Sequence, residues 1–194
     1  FGQEISTSAV QIVSAATVLA NDGVRLEPSI VKKIVSPEGR TLESHSRIPV
    51  QQVVSADTAR SMLLMMEQAT AESGTATRAQ VEGIRVSAKT GTAQVFNRET
   101  GSYSDERFVA SCLSILPTDD PQVIVYVVIK NPQAGETYGG RIAAPVAGEM
   151  AEELVRYLGI PRENDTVLGH SGVVEIRKLP PVDIGSTMPD LSGY

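Results

Sequence analysis

The sequence predicts an α+β fold: an antiparallel sheet with flanking helices. Three observations carry this. Phe108–Leu116 and Val123–Ile129 are apolar at successive positions, the pattern of strands covered on both faces. They are joined by Pro117-Thr118-Asp119-Asp120-Pro121, a connection too short for a crossover, so the pair is expected to be antiparallel. Apolar stripes at helical spacing stand before and after them.

In chain order, the first helix is expected over Ser8–Asn21. Ser6 or Thr7 caps it, Ile12, Ala16, Leu19 and Ala20 form its buried stripe, and Gly23 ends it. A hairpin follows, Ile30–Val35, turning at Pro37-Glu38-Gly39-Arg40 into Thr41 onward. Ser55 caps a second helix that buries Ala59, Met62, Leu63 and Met66 and fades near Gly74, its methionines serving as core filler. Ile84–Ala88 alternates as a strand does and leads into Lys89-Thr90-Gly91-Thr92-Ala93 at its tip. Gln94–Glu106 reads as a polar loop. The last helix starts near Ala144, with Pro145 in its first turn, and presents Val146, Met150, Leu154 and Leu158 before Gly159 and Pro161 stop it. Beyond Gly159, recurrent Pro and Gly read as a linker.

A chain of 194 residues suits one medium domain, or one domain plus a tail. Its net charge of −6, with no Lys/Arg stripe, argues against nucleic acid as a partner. No apolar run has the length of a transmembrane helix, and there is no signal peptide. The chain begins at Phe1 rather than Met and reads as part of something longer. Cys112 is the single cysteine, so no intrachain disulfide can form, and its apolar strand makes it a small buried residue.

The motif is where chemistry concentrates. On a strand, Thr90 and Thr92 share one face and Lys89 takes the other. Gly91 has no Cβ, so a ligand's backbone could lie flat there. An acyl-transfer enzyme holding an extended peptide and its terminal carboxylate needs such a surface. By itself Lys-Thr-Gly is equally the solvated turn of a hairpin, and the rest of the chain must decide. Other polar groups are weaker. His45 and His170 lack partners at ligand spacing, so neither a metal site nor a cofactor is expected. Asp119-Asp120 and Asp105-Glu106 read as solvated turn chemistry. Tyr138-Gly139-Gly140 either lines a groove beside the motif or is a flexible lead into the last helix.

Five segments in order resemble one family. Phe1-Gly2-Gln3 with Ile5-Ser6 and Gln11, then Leu19-Ala20-Asn21-Asp22-Gly23-Val24, then Lys89-Thr90-Gly91-Thr92-Ala93-Gln94 are the first three. Tyr138-Gly139-Gly140 with Ala143-Ala144-Pro145-Val146, and Tyr157-Leu158-Gly159-Ile160-Pro161, complete them. Together they resemble the C-terminal half of the transpeptidase domain of class B penicillin-binding proteins. Met188–Tyr194 resembles the opening of a PASTA module. The resemblance implies a penicillin-binding-protein or serine β-lactamase-like fold, incomplete here. It divides the chain into residues 1–158 of the transpeptidase domain, a linker at 159–185 and a truncated PASTA-like start at 186–194.

Of the family's three signatures, S-x-x-K, S-D-N and K-T-G, only the third stands here in a plausible setting, and no Ser-x-Asn occurs. The nucleophilic serine, its lysine and the second motif are therefore expected upstream of Phe1, and the chain alone is expected to be inactive. By the resemblance, the intact enzyme is a peptidoglycan D,D-transpeptidase that cross-links stem peptides through a serine acyl-enzyme and binds β-lactam antibiotics. The Thr92 N–H would be an oxyanion donor, Thr90 and Thr92 hydroxyls would hold the substrate carboxylate, and Lys89 would lie behind them. The expected location is extracytoplasmic, with an anchor in an N-terminal segment. A serine β-lactamase fragment and a non-catalytic interaction module are the alternatives. With the serine-bearing half missing, an uncovered sheet face and self-association are expected unless a companion chain supplies that half, with Val125→Lys and Val127→Lys as probes on one face.

Overall fold

The computed structural model describes residues 5–133 and 135–163. Phe1-Gly2-Gln3, His170, the linker from Asn164 onward and the PASTA-like segment lie outside the described residues.

The centre is a three-stranded antiparallel sheet, β5 (Ser87–Asn97), β6 (Ser102–Leu116) and β7 (Val123–Lys130), in that spatial order. The register pairs Ala88 with Ser114 and Thr90 with Cys112, and carries on to Val125 and Val127 of β7. Antiparallel pairing of the two apolar runs is as expected. The expected polar loop is not a loop: β5 continues to Asn97 and β6 begins at Ser102, forming a ribbon with Phe96 edge-on to Tyr103. Cross-strand pairing overrides the polarity of this segment, because an antiparallel ribbon satisfies its own backbone while both faces stay wet.

One sheet face carries Val86, Ala88, Cys112, Leu116, Val123, Val125 and Val127 under α3 (Gly139–Leu158). The other carries Ile115, Leu113 and Ile124 under α1 (Ala9–Ala20) and α2 (Ala56–Glu67). This double cover explains the unbroken apolar runs. It also corrects the expectation of a bare face: Val128, 38 % exposed, is the large apolar side chain left open there, while Val125 and Val127 are buried under α3 and cannot report on an uncovered surface.

The helices start where their caps allow. α1 is capped by Ser8, not Ser6 or Thr7, because Ser8 and Gln11 close a reciprocal capping box, with the Ser8 N–H donating to Gln11 Oε1 at 2.8 Å. Ser55 caps α2 as expected, and Ala59 and Leu63 are buried while Met62 is 39 % exposed. Helix α3 departs most. It begins at Gly139, so Pro145 sits inside it. The missing N–H of Pro145 leaves the Arg141 carbonyl without its helical donor, and Arg78 Nη1 approaches that oxygen at 3.5 Å. The Val146, Met150, Leu158 edge faces outward, 39 %, 46 % and 52 % exposed, with Leu154 half-packed at the core's rim. Ala143, Ala144, Ala147 and Ala151 are buried in the core instead, because small side chains let a helix pack closely, and Gly148 closes on the Arg78 carbonyl outside the sheet. Gly159 at φ +64° ends the helix and returns Ile160, 4 % exposed, to the core.

The remaining strands are peripheral. β2 (Lys33–Val35) and β3 (Thr41–Ser44) form the expected hairpin, shorter than read. β1 (Val24–Leu26) pairs with β4 (Pro49–Gln52), a long-range pairing with no signal in local sequence. Among the described residues no helix is long and apolar enough to cross a membrane.

Cys112 has no exposed surface, and burial pushes its thiol up from the ordinary value. Iodoacetamide should modify the native protein only as fast as it unfolds, and the denatured protein rapidly. Fast native labelling would contradict this packing.

Candidate active-site strand

The start of β5 is fastened before the motif is reached. Arg85 makes a two-pronged bridge to Glu67 at the end of α2, Nε to Oε1 at 2.8 Å and Nη2 to Oε2 at 2.7 Å. The Thr70 hydroxyl donates to the Val86 carbonyl at 3.0 Å. Buried Ser87 donates to the Leu63 carbonyl at 2.8 Å and meets Thr118 Oγ1 at 3.0 Å. The motif therefore follows a clamped strand start, and lies near the beginning of β5 rather than at the tip of Ile84–Ala88.

Lys89 is exposed on the α1/α2 face, and its Nζ donates to the Thr90 carbonyl at 2.7 Å. The Arg85 carbonyl accepts from the Thr118 N–H at 2.9 Å, on the side of β6, so by alternation along the strand the Thr90 carbonyl faces the opposite edge. In a strand the N–H and C=O of one residue share a side and alternate along the chain, so the Thr92 N–H is also presented at the open edge of β5.

Thr90 and Thr92 share one face as expected, which is the α3 face, and each has a partner. The Gly139 N–H, at the start of α3, donates to Thr92 Oγ1 at 3.0 Å. Thr90 Oγ1 donates to Thr75 Oγ1 at 3.2 Å. The oxygen of Thr92 is an acceptor in this contact, and the hydroxyl keeps one proton to donate elsewhere.

The glycines do other work than expected. A Cβ at Gly91 would fall 2.6 Å from Ser111 Oγ, so the missing side chain makes room for Ser111 on the neighbouring strand, not for a ligand lying flat. A Cβ at Gly139 would meet the Gly91 and Ser111 carbonyl oxygens at 2.4 and 2.5 Å. At Gly140 it would meet the Thr75 carbonyl oxygen at 2.1 Å. Tyr138-Gly139-Gly140 is thus a helix start pressed against the motif, with Tyr138 64 % exposed beside it. The tripeptide leads into α3 and adjoins the motif strand.

The other candidates stay apart. His45 sits 3.2 Å from Glu43, Asp120 accepts from Gln122, and Asp105 accepts from Gln94, each in exposed surroundings. A cavity of about 440 Å³, lined in part by Glu67, Gln80, Glu82 and Arg85, opens beside the clamped strand start, whereas the motif is an open edge. One Ser-x-x-Lys does occur in the chain, Ser29-Ile30-Val31-Lys32. It lies in an exposed, non-helical stretch where Ser29 Oγ donates to the Val31 carbonyl, so its proton is not directed to a lysine amine. Thr75 was missed by sequence reasoning. It follows α2 in a Ser-Gly-Thr turn, and nothing in linear spacing ties it to Thr90.

An antiparallel sheet covered by helices on both faces, with a Lys-Thr-Gly-Thr edge strand under the start of α3, is the penicillin-binding-protein transpeptidase fold. Residues 1–152 match the penicillin binding protein transpeptidase domain, and the chain belongs to that family. It is 36 % identical over 166 residues to stage V sporulation protein D of Bacillus subtilis, covering 84 % of this chain and 25 % of that protein. It is 36 % identical over 160 residues to a probable peptidoglycan D,D-transpeptidase PenA of Neisseria gonorrhoeae, covering 82 % and 25 %. Penicillin binding protein 3 of Mycobacterium tuberculosis, complexed with aztreonam, superposes with a TM-score of 0.72 at 29 % identity, covering 83 % of this chain and 37 % of that one. The chain spans about a quarter of the length of these full-length relatives.

Gly139→Ala forces a methyl into two backbone carbonyls that cannot rotate away. A loss of about 1–3 kcal/mol in denaturant unfolding is expected, and unchanged stability would contradict the contact.

Proposed function

We propose that this chain is the substrate-binding part of a serine D,D-transpeptidase that cross-links peptidoglycan and is acylated by β-lactams. The observation that carries the reading is the edge of β5, where the Thr92 N–H and the Thr90 and Thr92 hydroxyls are offered together beside the N-terminus of α3. The names of the relatives support the same activity: a D,D-transpeptidase, and a penicillin binding protein that binds aztreonam.

In this reading the serine comes from residues that precede the chain, the C-terminal part of the domain being what is present. Its Oγ attacks the carbonyl of the penultimate D-Ala of a stem peptide. The C–N bond breaks, D-Ala leaves with the proton, and the acyl group passes to an amine of a second stem peptide, restoring the serine. The Thr92 N–H faces the developing oxyanion, and removing one such donor costs roughly 2.7–4 kcal/mol of transition-state stabilisation. Thr90 and Thr92 hold the terminal carboxylate, and Lys89 adds positive potential from the opposite face of the strand. Tyr138 borders the groove, and Gly139 and Gly140 form its floor. We read residues 159–185 as a linker and 186–194 as the start of a PASTA module, and place the intact protein outside the cytoplasm on a membrane anchor.

Fluorescent penicillin should label the full-length protein covalently and leave this chain alone unlabelled. Covalent labelling of the chain alone would overturn the assignment of the nucleophile. In the full-length protein, Thr92→Val keeps the backbone donor and removes the hydroxyl. Acylation by penicillin should slow about tenfold or more, the scale of a hydrogen bond to a charged group, with the protein still folded. Unchanged acylation would remove the Thr92 side chain from the site.

A further inference from the structure

We infer that Thr75 is a positioning residue for the carboxylate of the substrate, acting through Thr90. The inference rests on the reading of Thr90 and Thr92 as the carboxylate-binding pair and extends it to a residue on a different segment.

Thr75 is held in place by its neighbours. Gly74 turns back so tightly that a Cβ there would fall 2.1 Å from the Ala69 carbonyl oxygen. The Gly74 N–H donates to the Ala71 carbonyl and the Ala76 N–H to the Ala69 carbonyl, both at 2.7 Å. Ala76 has no exposed surface and anchors the turn in the core. On the other side, the missing Cβ of Gly140 lets α3 close on the Thr75 carbonyl. A side chain that is itself exposed is thus carried on a fixed backbone, with Oγ1 3.2 Å from Thr90 Oγ1.

The direction of that hydrogen bond gives Thr75 its role. Thr90 Oγ1 donates its proton to Thr75 Oγ1. A carboxylate only accepts, so Thr90 must turn its proton outward when one binds. Its oxygen then lacks a donor, and the Thr75 hydroxyl, with one proton and two lone pairs, can reverse and supply it. The result is a relay from Thr75 to Thr90 to carboxylate, in which each hydrogen bond polarises the next. Thr92 has the equivalent arrangement, with the Gly139 N–H as the fixed donor behind it. Two hydroxyls aimed at one anion are therefore each backed by a second donor, one a main-chain amide and one the Thr75 side chain.

The test compares acylation of the full-length protein by benzylpenicillin and by its methyl ester, which lacks the anion. Thr75→Val should lower the preference for the free acid roughly 3- to 10-fold, the range of one neutral hydrogen bond. Thr75→Ser should keep it, and Thr75→Val with Thr90→Val should lose no more than Thr90→Val alone. An unaltered preference in Thr75→Val, or an equal slowing toward acid and ester, would overturn the inference. If Thr90→Val loses the preference and Thr75→Val does not, the carboxylate site stands and the role of Thr75 fails. If Thr90→Val also keeps the preference, the carboxylate reading itself fails, and this inference with it.

Discussion

The arrangement depends on one close contact, the seating of the first turn of α3 on the backbone of β5 and β6. Gly139 admits it, since a side chain there would enter the Gly91 and Ser111 carbonyls, and Gly140 lets the same turn close on the Thr75 carbonyl. The same geometry runs down the helix. Gly148 closes on the Arg78 carbonyl, where a Cβ would sit at 2.7 Å, and alanines fill the interval. Close packing of this kind gains dispersion contacts and leaves little room for adjustment. A helix so tightly seated fixes the direction of its terminal amides, the Gly139 N–H on Thr92 among them.

That seating has an electrostatic consequence. The N-terminus of a helix carries a partial positive charge concentrated in its first turn, and here it reaches the motif through the Gly139 amide. Lys89 supplies a full charge from the opposite face, its Nζ resting on the Thr90 carbonyl at the strand edge. The edge of β5 thus lies between two sources of one sign in a protein whose net charge is −6. Local arrangement, not overall charge, makes this edge suited to an anionic peptide end. The clamp of Arg85 on Glu67 and the buried hydroxyls of Thr70 and Ser87 keep the strand from sliding beneath that field.

Much of the sheet was legible because its two central strands are continuously apolar and their connection is short. The strand setting of the motif was legible because the alternating Ile84–Ala88 leads straight into it, which puts Thr90 and Thr92 on one face. The start of α3 was not. Pro145 resembled a first-turn proline, and the contact that holds the preceding turn in place comes from β5, far away in sequence. The buried face of α3 was misread for a related reason: alanines and glycines carry little hydrophobic signal, yet a close helix–sheet approach selects them over Val146 and Met150. The ribbon beyond Gln94 was hidden by its polarity, since cross-strand hydrogen bonds leave no mark on composition. Thr75 was invisible because it meets Thr90 only through the fold, and Ser111 explains Gly91 only once the register is known.

A crystal structure of the full-length protein acylated by a penicillin tests the central claim most directly. The antibiotic carboxylate should lie within hydrogen-bond distance of Thr90 Oγ1 and Thr92 Oγ1, with the Gly139 N–H still on Thr92 and the acyl oxygen facing the Thr92 N–H. A carboxylate bound elsewhere, or an α3 start drawn away from Gly91 in the acylated protein, would contradict the account.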